Sequence, residues 1–261
     1  MFPLYTENPR LRAPLVTIVL VLLIGAVWIF LQTGGFNSHV LAASVCNWGL
    51  VPGEITHQAR VGTAVPLGDG LACIVDREPI NVLTPLTSMF LHGGWGHVLG
   101  NLLFLWVFGG SIEDSVGRPR YLAFYLICGL AAAAAQILVN PASPVPMVGA
   151  SGAISGVMGA FLVLYPRVRV YLLVFLFFFI DLIAIPAWLV LLYWFGMQVL
   201  TGLPELVAVR PDVSEGVAVW AHVGGFTAGA LLIRLFANPA LVRERRSRRV
   251  ERRSRPLWRS R

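Results

Sequence analysis

Apolar residues fall in blocks near bilayer-spanning length, at about 14–31, 96–111, 121–138, 149–165, within 170–202 and 217–236. Roughly 20 consecutive apolar residues make a transmembrane helix candidate, so the pattern predicts an all-α, polytopic membrane bundle of six spans. The stretch within 170–202 is long for one span and is interrupted by Asp181 and Pro186. Two spans there would carry the arginine-rich C-terminus away from the other arginine-bearing junctions. One span near 186–202, preceded by an interfacial or partly inserted segment, keeps them together. Asp181 is then either an interfacial charge beside a broken helix or a functional carboxylate.

Arg10 and Arg12, Arg118 and Arg120, Arg167 and Arg169, and the tail after Arg234 occupy alternate loops. The positive-inside rule places such loops in the cytoplasm. The expected organisation is a cytoplasmic N-terminus (1–13), a six-span domain (14–236) and a basic cytoplasmic tail (237–261), with outer loops at about 33–91 and 203–216. In the longer loop, Cys46 to Val51, Ile74 to Met89 and intervening Pro and Gly residues suggest turns and short amphipathic helices.

Mean hydropathy of +0.74 with 13% charged residues excludes a soluble domain of this size. The first block could be read as a signal peptide, but it continues through Trp28, Ile29 and Phe30 without a small-residue cleavage pattern, which favours an uncleaved span. The net charge of +7 is local, since ten of the twenty arginines lie between Arg243 and Arg261 and lysine is absent. That composition suits a nucleic-acid arm, yet directly after a span it reads more simply as an anchor on anionic lipid. No nucleic-acid partner is expected. The three cysteines lack zinc-type spacing; Cys46 and Cys73 share the outer loop and are candidates to pair, while Cys128 reads as packing. Arginine without lysine, abundant glycine and no appended soluble domain suit a bacterial plasma membrane.

Polar residues inside apolar blocks are costly and mark functional candidates. Ser151 stands in Gly149-Ala150-Ser151-Gly152 at the head of the fourth block, and His222 lies a short way into the last. A helix from Ser151 to Pro166 would span roughly 24 Å, short of the approximately 30 Å hydrocarbon core, so its start would lie below the outer surface. The preceding stretch, with Pro144 and Pro146, would be an irregular loop dipping inward. Serine is a poor nucleophile unless a neutral imidazole takes its proton, and His222 can reach the same depth. Gly152, Gly156 and Gly159 on one block and Gly224, Gly225 and Gly229 on the other would let the two helices approach closely. His97 and Asn101, four apart on one helix face, offer two donors to an oxyanion, and His92 precedes them. Taken alone, each motif reads more simply as packing, and it is their combination that points to chemistry. Metal binding by His92, His97 and His222 has no HExxH carboxylate to support it, so no cofactor or metal is expected.

Together these motifs resemble those of the rhomboid family of intramembrane serine proteases. The family spacing of one histidine followed at plus five and plus nine by His and Asn is met by His92, His97 and Asn101. GxSG is met by Gly149 to Gly152, and AHxxGxxxG by Ala221, His222, Gly225 and Gly229. The resemblance implies that Ser151 is the nucleophile and His222 the general base and then acid. It implies that His97, Asn101 and the Ser151 backbone N–H form the oxyanion hole, with His92, Gly149, Gly152, Gly225 and Gly229 in support. It further implies that the substrates are transmembrane proteins cleaved near the outer face. Two positions depart from the pattern. Leu83 and Thr84 stand where many members have Trp-Arg, and Ser155 stands where many have a tyrosine stacked on the histidine. A catalytically silent rhomboid-like protein that binds transmembrane helices is the alternative. A transporter is disfavoured by the absence of repeated broken helices and of ion-binding carboxylates at span depth.

Overall fold

The computed structural model describes residues 2–8, 10–68, 70–176, 179–207 and 218–254. Most of the loop expected at 203–216, and tail residues 255–261, lie outside that set. In chain order the elements are β1 (Phe2–Thr6), α1 (Leu15–Ala26), α2 (Ser38–Trp48), α3 (Pro52–Ile55), β2 (Ala64–Gly68), β3 (Leu71–Ile74), α4 (Thr84–Thr87), α5 (Trp95–Val116), α6 (Arg118–Val139), α7 (Ser151–Leu164), β4 (Arg169–Leu176), β5 (Phe179–Pro186), α8 (Ala187–Val207), α9 (Val219–Phe236) and α10 (Pro239–Ser254). A π turn, Val27–Leu31, prolongs α1. Helices α5, α6, α8 and α9 are long and apolar enough to cross a membrane, and Leu15–Leu31 and α7 are shorter apolar helices. These six correspond to the six apolar blocks.

The centre of the bundle is α7, whose residues Gly152 to Phe161 are all buried. Its 14 residues rise about 21 Å, less than a bilayer core. A helix this short does not reach across such a core, and the loop of residues 140–150 leads into its start.

The segment between α7 and α8 is a β-hairpin, which the helical pattern did not anticipate. β4 and β5 pair antiparallel from Arg169–Pro186 to Leu176–Phe179, and β1 adds on the outer side of β4, with Phe2 opposite Leu173 and Thr6 opposite Val170. Val170, Leu172 and Val174 are buried on one face of β4, the alternation of a strand. Asp181 is an exposed residue of β5 whose carboxylate accepts its neighbour Leu182's N–H at 2.7 Å, which favours the interfacial reading.

Helix α5 runs past its apolar block to Val116, and its last two turns bury Ser111, Glu113, Asp114 and Ser115. Each of these groups has a partner. Pro14 provides no side-chain cap for α1; Glu113 takes over, accepting the Val16 and Thr17 N–H groups at 3.0 and 2.9 Å. Asp114 accepts the Leu11 N–H at 2.9 Å and a 2.5 Å bond from Arg245 of α10. Arg245 is fully buried, bonds Ser111 Oγ at 3.0 Å, and lies 5.5 Å from the Tyr165 ring centroid. Removing one partner of a buried ion pair costs roughly 3–5 kcal/mol, because the other charge stays desolvated. Asp114→Ala is therefore expected to release α10, which can escape the cost by swinging into solvent. Trypsin should then cut the 239–254 helix well before the bundle unfolds; an equally protected tail would show that the pair does not hold it.

On the opposite face the long loop is braced by the Cys46–Cys73 disulfide. Glu54 accepts the Asp76 N–H and an Asn81 amide N–H, both at 3.1 Å, and burial pushes its carboxyl pKa up. Leu50 bridges Met147, and the Gly53 N–H donates to the Ser143 carbonyl at 2.8 Å. The loop thus holds the segment leading to Ser151 although Leu83 and Thr84 replace the Trp-Arg pair.

Candidate active site

Ser151 is the first residue of α7. Just before it Gly149 adopts φ +129°, and a Cβ there would fall 2.6 Å from His97 Nε2. Both the turn and the close imidazole require glycine. The Gly149 N–H donates to the Ser88 carbonyl at 2.8 Å, which fixes the turn from the long loop.

Helices α7 and α9 touch through their backbones. A Cβ on Gly225 would collide with the Gly152 carbonyl, and one on Gly229 with the Gly156 carbonyl. Such contact is what small residues on two helix faces permit. It brings His222, in the first turn of α9, onto the start of α7, where His222 Nε2 lies 2.8 Å from Ser151 Oγ.

His97 and Asn101 sit one turn apart on α5, and both line a cavity of about 220 Å³ together with Ser151 and His222. The Asn101 side-chain amide nitrogen is buried with no hydrogen-bond partner among the described residues. His92 is fully buried, and its ring packs edge-on against His97 with centroids 5.0 Å apart. Gln32 holds the His92 backbone on both sides, accepting its N–H at 2.9 Å and donating to its carbonyl at 2.8 Å. A larger cavity, about 580 Å³, shares His97, Ser151 and His222 with the first, and Gly129, Ala132, Gly152 and Met89 are among the other residues lining it.

The arrangement therefore brings Ser151, His222, His97 and Asn101 together around one cavity, whereas Asp181 lies apart on β5. A hydroxyl hydrogen-bonded to an imidazole, beside an unpaired amide donor and the free N–H groups of a helix start, has the parts needed for acyl transfer. No group of three metal-binding side chains occurs among the described residues.

A family model described as Rhomboid domain matches residues 80–239. The chain belongs to the rhomboid family. As a rhomboid it is an integral, multi-pass membrane protein, in keeping with its apolar helices. Rhomboid protease GluP of Bacillus subtilis is 42% identical over 77 residues, which cover 30% of this chain and 15% of that protein. Rhomboid protein 1, mitochondrial, of Saccharomyces cerevisiae is 34% identical over 92 residues, 34% of this chain and 27% of that one. RHOMBOID-like protein 12, mitochondrial, of Arabidopsis thaliana is 30% identical over 164 residues, 57% and 44% of the two chains. The chain thus matches less than half the length of each of these relatives.

Three amides around the rhomboid site were not singled out in the sequence. Gln136 of α6 accepts the Ala221 N–H at 3.2 Å and so caps the start of α9. Gln32 supports His92, and Gln198 of α8 faces His222 Nδ1 at 2.8 Å. Each is an isolated polar residue in or at the end of an apolar block, the signal that drew attention to Ser151 and His222. Ser155 turns back to its own helix, donating to the Ser151 carbonyl at 2.6 Å. The aromatic ring beside His222 comes instead from Trp194 of α8, with centroids 5.8 Å apart.

Proposed function

We propose that this rhomboid is an intramembrane serine endopeptidase that cleaves transmembrane proteins near the outer membrane face. The 2.8 Å contact between Ser151 Oγ and His222 Nε2 inside a cavity carries the reading. As Ser151 Oγ bonds to the scissile carbonyl carbon, its proton passes to His222 Nε2 and the C=O π electrons move onto oxygen. The Ser151 N–H and the His97 and Asn101 side chains donate to that oxyanion. Its collapse breaks the C–N bond, and the Nε2 proton goes to the departing amine, leaving an ester on Ser151. Water then attacks the ester, giving its proton to Nε2, and the second collapse returns that proton to Ser151 Oγ and frees the carboxylic acid.

The resemblance to rhomboid proteases favours a small substrate residue beside the scissile bond. A helical substrate must first expose the carbonyl it keeps hydrogen-bonded, so Gly or Pro near the cleavage point lowers the cost. Orientation follows from two features at opposite faces: the arginine-rich termini suit the cytoplasmic side, and the disulfide-braced loop suits an oxidising exterior. The exposed Arg243 and Arg248 of α10 suit anionic lipid headgroups.

The test is cleavage of a panel of transmembrane substrates by protein reconstituted in liposomes, with Ser151→Ala alongside and a chelator added in parallel. Serine-dependent, chelator-resistant cleavage is expected. Tight helix binding without any cleavage would point to a non-catalytic rhomboid-like binder. In the same assay Asn101→Ala should lower kcat by about 100- to 1,000-fold, the typical loss for one oxyanion donor. Its Tm should move little, since Nδ2 has no partner to lose among the described residues; undiminished turnover would remove Asn101 from the oxyanion site.

A further inference from the structure

His222 is held from two sides. Nε2 faces Ser151 of α7, and Nδ1 lies 2.8 Å from Gln198 Oε1 of α8. Trp194, one turn before Gln198 on the same helix, packs its ring against the imidazole. From the contact between Nδ1 and the amide oxygen we infer that Gln198 is a positioning residue which selects the working tautomer of His222. This inference rests on the reading of Ser151 and His222 as nucleophile and base.

The chemistry follows from donor and acceptor counts. An amide oxygen can only accept, so Nδ1 carries the hydrogen. In the neutral ring Nε2 is then the bare nitrogen, able to take the proton of Ser151. Without the acceptor, the ring is free to place its hydrogen on Nε2, where it cannot act as a base. Once Nε2 is protonated, the Nδ1–H bond also stabilises the imidazolium, though less than a carboxylate would. No carboxylate faces His222 among the residues placed at the site; the other titratable side chain lining the same cavities is His97 of α5. Ser155 makes no hydrogen bond to the imidazole; its hydroxyl donates back to the Ser151 carbonyl.

The support comes from the least buried of the long spans. Only 17% of the apolar window of α8 is buried, against 50% for α5. Trp194 also lines the smaller cavity with residues of α5 and α7. Displacing α8 would therefore open that cavity and withdraw both the hydrogen bond and the ring from His222 together.

The test compares wild type, Gln198→Met and Gln198→Glu by the rate at which a fluorophosphonate probe labels Ser151 across pH and by kcat and KM for a cleaved transmembrane substrate. Methionine keeps the shape and removes the acceptor; partners that orient a metal-bound imidazole through its second nitrogen are typically worth about 10- to 100-fold, and the same scale is taken for this neutral amide. That loss is expected in kcat and labelling rate, with KM near wild type. Glutamate restores the acceptor with a charge, so Gln198→Glu should retain activity at neutral pH and move the acidic limb of the pH profile upward, as a stabilised imidazolium requires. A Gln198→Met protein that labels and cleaves at the wild-type rate, or a Gln198→Glu profile with an unmoved limb, overturns the inference while leaving the protease reading intact. A folded wild type whose Ser151 neither labels nor cleaves removes the protease reading, and this inference with it.

Discussion

In liposomes, Ser151→Ala and His222→Ala are each expected to lower kcat by about 10,000-fold or more, equivalent to roughly 5.5 kcal/mol of transition-state stabilisation. The two groups act as one unit, since a serine without its base is scarcely nucleophilic and a base without the serine has nothing to activate. The double variant should therefore be no slower than the worse single one. Binding of a transmembrane substrate should survive in all three, because the cavity walls remain. Folding should survive as well: the bond between Ser151 and His222 is one polar contact, whereas the packing of α7 on α9 is made by glycine backbones. Multiplicative losses in the double variant would show that the residues act independently, contrary to a shared proton.

The polar residues of the site were legible because the membrane makes each of them conspicuous. Ser151, His222, His97 and Asn101 interrupt apolar blocks, and glycines at near-helical spacing announce where two of those blocks meet. Other features left weaker marks. The β4–β5 hairpin is apolar on both faces of its sequence pattern, so the period of two that separates Val170, Leu172 and Val174 from their neighbours is hidden. Its third strand, Phe2–Thr6, comes from the far end of the chain, and nothing local specifies that pairing. Helix α5 outlasts its apolar block because Glu113 and Asp114 find donors on α1, the N-terminal segment and α10, partners that hydropathy cannot reveal. Arg245 is one of ten arginines in the tail, and only the fold distinguishes it from those that face outward. Gln198 was visible as a lone amide in a span, but its meaning required the imidazole on the facing helix.

Substituting Gly229 by alanine should have an effect out of proportion to one methyl group. Alanine outranks glycine in a helix interior by about 1 kcal/mol, so propensity alone predicts stabilisation. Gly25→Ala, on α1, tests that expectation cleanly, because a Cβ there meets nothing within 4 Å; its Tm should hold or rise. At Gly229 the new Cβ meets the Gly156 carbonyl and Cα, which are backbone atoms and cannot rotate aside. The clash can be relieved only by moving α9 away from α7, and overpacking of this kind costs typically 1–3 kcal/mol, enough to reverse the sign. The same movement stretches the 2.8 Å contact between His222 and Ser151, where a displacement of about 1 Å can cost 100-fold in rate. Gly229→Ala should therefore lower Tm and also lower cleavage per folded molecule. A Tm equal to that of Gly25→Ala, with full activity, would mean that the two helices do not meet backbone to backbone.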